Sequence, residues 1–65
     1  MNNNIRALRE TQNLTQQDLA DHLGVSRQTI ISLENGRYNP SIMLAYRISK
    51  IFNLSIEEIF LFEEE

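Results

Sequence analysis

The chain has 65 residues, a formal net charge of −3 and no cysteine. A chain of this length forms at most one small domain, and most enzymes are larger. The lack of cysteine excludes a disulfide framework and thiolate metal sites, and one histidine, His22, is too few for a metal cluster. Because no apolar run exceeds five residues and no signal-type segment opens the chain, we expect a soluble cytoplasmic protein without membrane contact.

The small size of the core suggests how the protein is stabilised. A core of this size contributes little stability by itself. Self-association is a common source of further stability when covalent cross-links and structural metals are lacking. We therefore expect a homodimer, with no cofactor and no small-molecule ligand.

The charge is unevenly distributed along the chain. Residues 1–56 hold all six Lys and Arg and four acidic residues, which leaves that part at +2, and the other five acids lie in the last nine residues. This division fits a weakly basic body whose acidic tail is turned away from a polyanion, and a merely solubilising tail is the alternative.

Two helix-start signals lie close together. Thr15, with Asp18 three residues later, is suited to cap a helix that ends at Gly24. Ser26 is suited to cap the next helix. The pattern predicts two helices within residues 15–35, joined by a short turn.

Three further helices are predicted. An N-terminal helix contains Ile5, a longer one follows Pro40, and Ser55 with Glu58 forms a capping box for the last. Residues 5–56 show no alternating strand pattern, so we predict an all-α fold of five helices in a single domain that spans the whole chain. The apolar stripe of the longer helix consists of Leu44, Ala45, Ile48, Ile51 and Phe52.

The end of the chain, residues 60–65, differs from the rest because it is aromatic-rich and directly follows the fifth helix. It fits a short β-strand that pairs with residues 1–5, with the sheet shared across a dimer in one version of this prediction. A tail without regular structure is the alternative.

The two helices within residues 15–35 match the helix-turn-helix motif, whose second helix enters the DNA major groove. At about 100° per residue, one arc of that second helix is mostly polar, and the opposite arc is apolar except for Glu34. In the major groove, Arg can hydrogen-bond to guanine and Gln can hydrogen-bond to adenine, whereas Ser can bond to either base. An apolar side chain can contact the methyl group of thymine. The candidate base-reading residues are Arg27, Gln28, Ile31 and Ser32.

Four other residues are candidate phosphate contacts. Thr15 and Gln16 lie at the start of the first motif helix, where free amides attract anions, and Asn35 and Arg37 lie at the end of the second. Such contacts position a protein on double-stranded DNA without reading its sequence. An ordinary solvated helix face is the alternative for the second helix taken alone.

Four segments carry a known family pattern: LTQQDLA at 14–20, LGVSRQTI at 23–30, LENGR at 33–37 and NPS at 39–41. With them the chain resembles the Cro/C1-type, or XRE, helix-turn-helix family over nearly its whole length. The resemblance implies a five-helix DNA-binding domain of a transcriptional regulator, usually dimeric on a palindromic operator. It is similar to short stand-alone members without an effector domain, some of which pair N- and C-terminal strands in a dimer.

The resemblance also implies roles for single residues. Arg9 and Glu34 match a structural ion pair of some members. Ile31 departs from the family, in which this position is often polar, so it either reads a thymine methyl or packs at the edge of the DNA. The remaining matches imply phosphate contacts by Gln16 and Asn35 and base contacts by Arg27, Gln28 and Ser32.

The dimer contact is predicted at the C-terminal end. Its candidates are apolar, and packing onto the chain's own core is the alternative use for them. They are Ile56, Ile59, Phe60 and Phe62.

Together these patterns predict a homodimeric, sequence-specific repressor that occludes a promoter. The alternative is an antitoxin or protein-interaction module with the same fold, which the net acidic charge favours slightly. We do not expect an enzyme, because the chain offers no plausible nucleophile, metal set or cleft-sized domain. His22 follows Asp18 by one turn, and such a pair is usually a helix-end charge interaction.

Overall fold

A computed structural model describes residues 1–62, and residues 63–65 of the predicted strand or tail lie outside the described residues. The described part is an assembly of five helices, which confirms the expected all-α fold. None of its helices is long and apolar enough to cross a bilayer. The helices are α1 (Ile5–Thr11), α2 (Gln16–Leu23), α3 (Arg27–Glu34), α4 (Ile42–Phe52) and α5 (Ile56–Ile59).

The start of α2 is a complete capping box. The Thr15 hydroxyl accepts from the Asp18 amide at 3.0 Å, and the Asp18 carboxylate accepts from the Thr15 amide at 2.9 Å. The hydrogen bonds from Thr15 lower the pKa of Asp18, because they favour its charged form. Ser55 and Glu58 repeat this arrangement at α5, so both predicted caps are confirmed.

The turn between α2 and α3 depends on local signals. Gly24 ends α2 with φ +69°, a left-handed conformation that side chains disfavour. Ser26 then caps α3 by accepting from the Thr29 amide at 3.2 Å. Three residues therefore separate the two helices, as the sequence predicted.

One hydrophobic core lies between the helices. Ile5 of α1 and Ile30 of α3 are fully buried in it, and α4 contributes Ile48 from its centre. Burial of such side chains contributes about 1.5–3 kcal/mol each relative to exposure. The other core members are Leu19, Ala20, Leu23, Leu33, Leu44, Ala45, Phe52, Ile59 and Phe60.

The two ends of the chain pair with each other. Asn3 and Phe60 form an antiparallel β-bridge. On either side of it, the Asn4 amide donates to the Ile59 carbonyl and the Leu61 amide donates to the Asn2 carbonyl, both at 2.8 Å. The predicted pairing of the termini is thus present as one short bridge within a single chain.

The N-terminal segment also holds the end of α3. The Asn3 side chain donates to the Leu33 carbonyl at 2.7 Å, and the Met1 nitrogen donates to the Gly36 carbonyl at 2.8 Å. Both carbonyls lie at the C-terminal end of α3, where the regular helical ladder of hydrogen bonds stops. The Leu33 carbonyl also accepts from the Gly36 amide at 3.1 Å. Gly36 has φ +73°, and a Cβ there would approach the Met1 carbonyl oxygen to 3.1 Å, so this close approach requires glycine.

Candidate nucleic-acid interface

The outward face of α3 is polar, in agreement with the helical wheel. Arg27, Gln28 and Asn35 are exposed, and Ile31 and Ser32 are half-buried. Ile30 and Leu33 hold the opposite side of the helix in the core.

A first groove runs along one flank of α3, between α1, the start of α2 and α3. Arg27, Asn35, Thr15 and Gln16 line it, so four of the predicted DNA-contacting residues share one concavity. The sequence analysis missed four of its polar residues, because no local pattern showed which sides of α1, of the α1–α2 turn and of the start of α2 meet α3. These residues are Arg6, Glu10, Asn13 and Gln17.

A second groove runs along the other flank of α3. Gln28 and Ser32 line it from the helix, and Arg37 lines it from the following loop. Tyr38 is a further lining residue that the sequence analysis missed. Its position directly after Arg37 was the one signal in the sequence that could have indicated it. The helix α3 therefore lies between two grooves, and predicted DNA-contacting residues line both of them.

The predicted pair of Arg9 and Glu34 is present inside this region. The Arg9 Nε donates to Glu34 Oε2 at 2.8 Å, and the two side chains are only 10% and 5% exposed. Arg9 also donates to the Leu14 carbonyl at 2.8 Å, so its guanidinium joins α1 to α3 and to the α1–α2 turn. The hydrogen bond to Glu34 raises the pKa of Arg9, so the charge that faces Glu34 is permanent.

Gln16 extends this pair toward the outer face of α3. Its Nε2 donates to Glu34 Oε1 at 3.2 Å, and its Oε1 accepts from Arg27 Nε at 3.4 Å. Four side chains from three helices thus form one series of hydrogen bonds: Arg9, Glu34, Gln16 and Arg27.

The start of α2 is less open to an anion than the sequence suggested. The capping box already engages the Thr15 and Asp18 amides, and the charged Asp18 carboxylate lies beside them. Phosphate attraction at this helix end is therefore reduced, because two donors are occupied and a negative charge is near. The cationic side chains of this region that have no carboxylate partner within residues 1–62 are Arg27 and Arg37. Arg6 lies 3.7 Å from Glu10, and Arg9 is paired with Glu34.

The predicted dimer residues divide into two groups. Ile59 is completely buried and Phe60 is 2% exposed, both in the chain's own core, which is the alternative that the sequence left open for them. Ile56 is half-buried against the core, and Phe62 is 58% exposed. Phe62 shares a surface groove with Met1 and Leu61, which are also exposed and which the sequence analysis did not include.

Comparisons with known proteins agree with this geometry. A helix-turn-helix family model matches residues 5–59. An HTH-type transcriptional regulator of Methanocaldococcus jannaschii is 52% identical over 65 residues, which cover all of this chain and 98% of that protein. The competence pilus inhibition repressor of Acinetobacter baylyi is 47% identical over 62 residues, which cover 92% of this chain and 54% of that protein.

A solved structure shows the same fold. The restriction-modification controller protein C.AhdI from Aeromonas hydrophila superposes with a TM-score of 0.76 at 27% identity, covering 86% of this chain and 85% of that one. The family model and these relatives describe regulators and not enzymes. The chain belongs to the Cro/C1-type helix-turn-helix family of DNA-binding transcriptional regulators.

Proposed function

We propose that this regulator is a repressor that binds a palindromic operator as a homodimer, with α3 of each subunit in the major groove. The observation that carries the proposal is the polar outward face of α3, which lies between two grooves, with Gln28 and Ser32 free of side-chain hydrogen-bond partners within residues 1–62. Half-site centres would then lie about 34 Å apart, or a multiple of that. The protein would act in the cytoplasm, where its prokaryotic relatives keep their chromosome.

In this proposal, side chains on the outward face of α3 contact the DNA bases, and residues that line the grooves contact the phosphates. Arg27 and Gln28 project from the first turn of α3, where a helix in the major groove approaches base edges. Ile31 and Ser32 follow one turn later, and Ile31 is suited to a thymine methyl. Phosphate contacts fall to Thr15, Gln16, Asn35 and Arg37, with Thr15 the weakest because its hydroxyl already caps α2.

Two arginine variants separate the base-reading role from the phosphate role. Arg27→Ala is expected to relax the preference at one base pair, by about 1–3 kcal/mol of discrimination. Arg37→Ala removes the same charge, yet it should weaken binding to all sequences alike and lower the salt slope by about 1. Selection from a random DNA pool, followed by affinity measurements over a range of salt concentrations, gives both quantities.

The matched charge loss makes this comparison decisive. If Arg27→Ala keeps the wild-type base preference, the assignment of Arg27 to base reading is wrong. If the wild-type protein selects no inverted repeat at all, the proposed function fails as a whole.

For the dimer, we propose a contact through the C-terminal patch, which we define as Met1, Leu61 and Phe62. All three are exposed apolar residues around one groove, beside the paired chain ends. Large apolar side chains exposed together are typical of interaction surfaces. The patch replaces the sequence-based set in part, because Ile59 and Phe60 are taken up by the core.

A charged residue in the patch should separate the subunits. Phe62→Glu is expected to give a monomer in sedimentation equilibrium, because an unpaired carboxylate in an apolar contact is costly. Met43→Glu is the control: Met43 is 65% exposed, on α4 and outside the patch. A Phe62→Glu protein that stays dimeric, or a Met43→Glu protein that becomes monomeric, would assign the contact elsewhere.

Repression itself follows from occlusion if the operator overlaps a promoter. The Acinetobacter relative is a repressor, which supports this proposal. A reporter placed behind the selected operator should lose expression when the protein is supplied. Increased expression would instead make the protein an activator with the same DNA-binding mode.

One observation favours the second candidate function, a protein-interaction module or antitoxin. Ile42, Met43 and Tyr46 are the exposed apolar side chains of α4, and Ile42 is 88% exposed. A module whose main partner is a protein bound at this surface, and which no longer relies on DNA, would bind DNA weakly and with little salt dependence. Genuine neutralisation of phosphates gives a steep fall of affinity with salt, so the salt titration distinguishes the two functions.

A further inference from the structure

We propose that Arg6 is a further contact to the DNA backbone and that Glu10 is an internal competitor, which pairs with Arg6 in the free protein and releases it to a phosphate. The proposal rests on the proposed function, because it concerns the DNA that this function places against α3. It adds a residue of α1 to the phosphate contacts, and it makes Glu10 a residue that limits the affinity for DNA.

Arg6 and Glu10 lie on the α1 side of the first groove. Because four positions separate them, they share one face of the helix. The α3 side of the same groove carries Arg27 and Asn35, two residues that the proposed function assigns to DNA contacts. A DNA backbone that enters this groove therefore meets Arg6 and Glu10 on the wall opposite α3.

The charged residues that line this groove are not equivalent. Arg9 and Glu34 neutralise each other at 2.8 Å, and neither side chain is more than 10% exposed. Among the described residues, the exposed charges that remain on the lining are Arg6, Arg27 and Glu10. Glu10 is thus the one exposed carboxylate of the groove that a phosphate would meet, and like charges repel.

The geometry of the Arg6–Glu10 pair allows the partner to be exchanged. Arg6 Nε lies 3.7 Å from Glu10 Oε2. This separation is longer than an N–H···O hydrogen bond of about 2.7–3.2 Å. The two side chains are 72% and 58% exposed, so water screens their attraction. A phosphate accepts two parallel hydrogen bonds from a guanidinium, so it is the stronger partner for Arg6 once DNA is in place.

Glu10→Gln is the central test, because it removes the negative charge and keeps the length of the side chain. The affinity for the selected operator should rise about 2- to 30-fold, the effect of one surface charge in each of two subunits. Glu57→Gln is the matched control: Glu57 is an exposed helical glutamate that lines neither groove beside α3. No gain for Glu10→Gln, or an equal gain for Glu57→Gln, would overturn the proposal.

Arg6→Gln tests the phosphate contact itself. It should weaken binding to all sequences alike and lower the salt slope by about 0.9 for each subunit. Lys50→Gln removes the same charge from an exposed residue that lines neither groove beside α3, so it should leave the slope unchanged. If Arg6→Gln also leaves the slope unchanged, Arg6 does not contact DNA and the proposal is wrong.

A double-variant cycle separates competition from simple repulsion. If Glu10 acts by holding Arg6, the gain in affinity from Glu10→Gln should shrink in an Arg6→Gln background. Equal gains in the two backgrounds would mean that Glu10 repels DNA without acting on Arg6, and they would overturn its role as a competitor.

Neutral phosphate analogues in the DNA locate the partner of Arg6. Single phosphates of the selected operator are replaced by methylphosphonate, and each DNA is bound to the wild-type protein and to Arg6→Gln. At one position in each half-site, the loss caused by Arg6→Gln should disappear, because the partner charge is gone. A scan without such a position would overturn the proposal. Failure of the wild-type protein to select any sequence would instead refute the proposed function, so the two failures are distinguishable.

Discussion

Replacing Glu34 with alanine is expected to lower the free energy of unfolding by about 3–5 kcal/mol, because it leaves the buried Arg9 charge without its partner. The Arg9 side chain is 10% exposed, and its Nε loses the 2.8 Å contact with the carboxylate. A domain of this length has a total free energy of unfolding of about 3–10 kcal/mol. The variant should therefore be largely unfolded or close to it, as measured by chemical denaturation and circular dichroism.

The exposed pair of Arg6 and Glu10 supplies the control. These residues are also an Arg and a Glu, 3.7 Å apart, but their side chains are 72% and 58% exposed. Glu10→Ala should change stability by no more than about 0.5 kcal/mol, since water screens exposed pairs. Equal losses for Glu34→Ala and Glu10→Ala would contradict the assigned importance of burial.

A third variant separates the ion pair's net contribution from the cost of breaking it. Replacing Arg9 with methionine and Glu34 with leucine together removes both charges and keeps the space filled. We expect this protein to be far more stable than Glu34→Ala, because apolar pairs often replace buried ion pairs with little loss.

Replacing Phe60 with alanine is expected to cost about 3–5 kcal/mol, the range for a buried aromatic ring in a core. Phe60 is 2% exposed and lies at the bridge with Asn3. The loss would show that the pairing of the chain ends is part of the folded core. Urea unfolding at low protein concentration is the appropriate measurement.

Phe62→Ala is the matched control for Phe60→Ala. It removes the same atoms from a side chain that is 58% exposed, so the isolated subunit should lose no more than about 0.5 kcal/mol. If the protein forms the proposed dimer, the effect should grow at higher concentration, because weakening a dimer acts through mass action. If Phe60→Ala costs as little as Phe62→Ala at high dilution, Phe60 is not a core residue.

The sequence by itself determined the helices and the outward face of α3. Thr15, Ser26 and Ser55 cap their helices through amides only three residues away, and Gly24 ends α2 through its own backbone conformation. The face of α3 follows from the helical repeat. All these features depend on residues within one or two helical turns of each other, so the local sequence is enough to predict them.

The use of the C-terminal aromatics was decided by the tertiary structure alone. An aromatic segment after a short helix fits a core, a dimer contact or a tail equally well by pattern. Phe60 enters the core because the N-terminal segment, more than 50 positions earlier, pairs with it. Phe62, two residues later, remains exposed.

The composition of the first groove and the link from Gln16 to Arg27 also needed the tertiary structure. A family resemblance pointed to the Arg9–Glu34 pair, but the hydrogen bonds of Gln16 join residues 18 and 11 positions apart. Arg6 reaches the same groove only because α1 packs against α3. The local sequence determines which residues share a helix face. The packing of the three helices decides which faces meet. Local patterns do not show this packing, because the burial of apolar area is not directional and acts between distant parts of the chain.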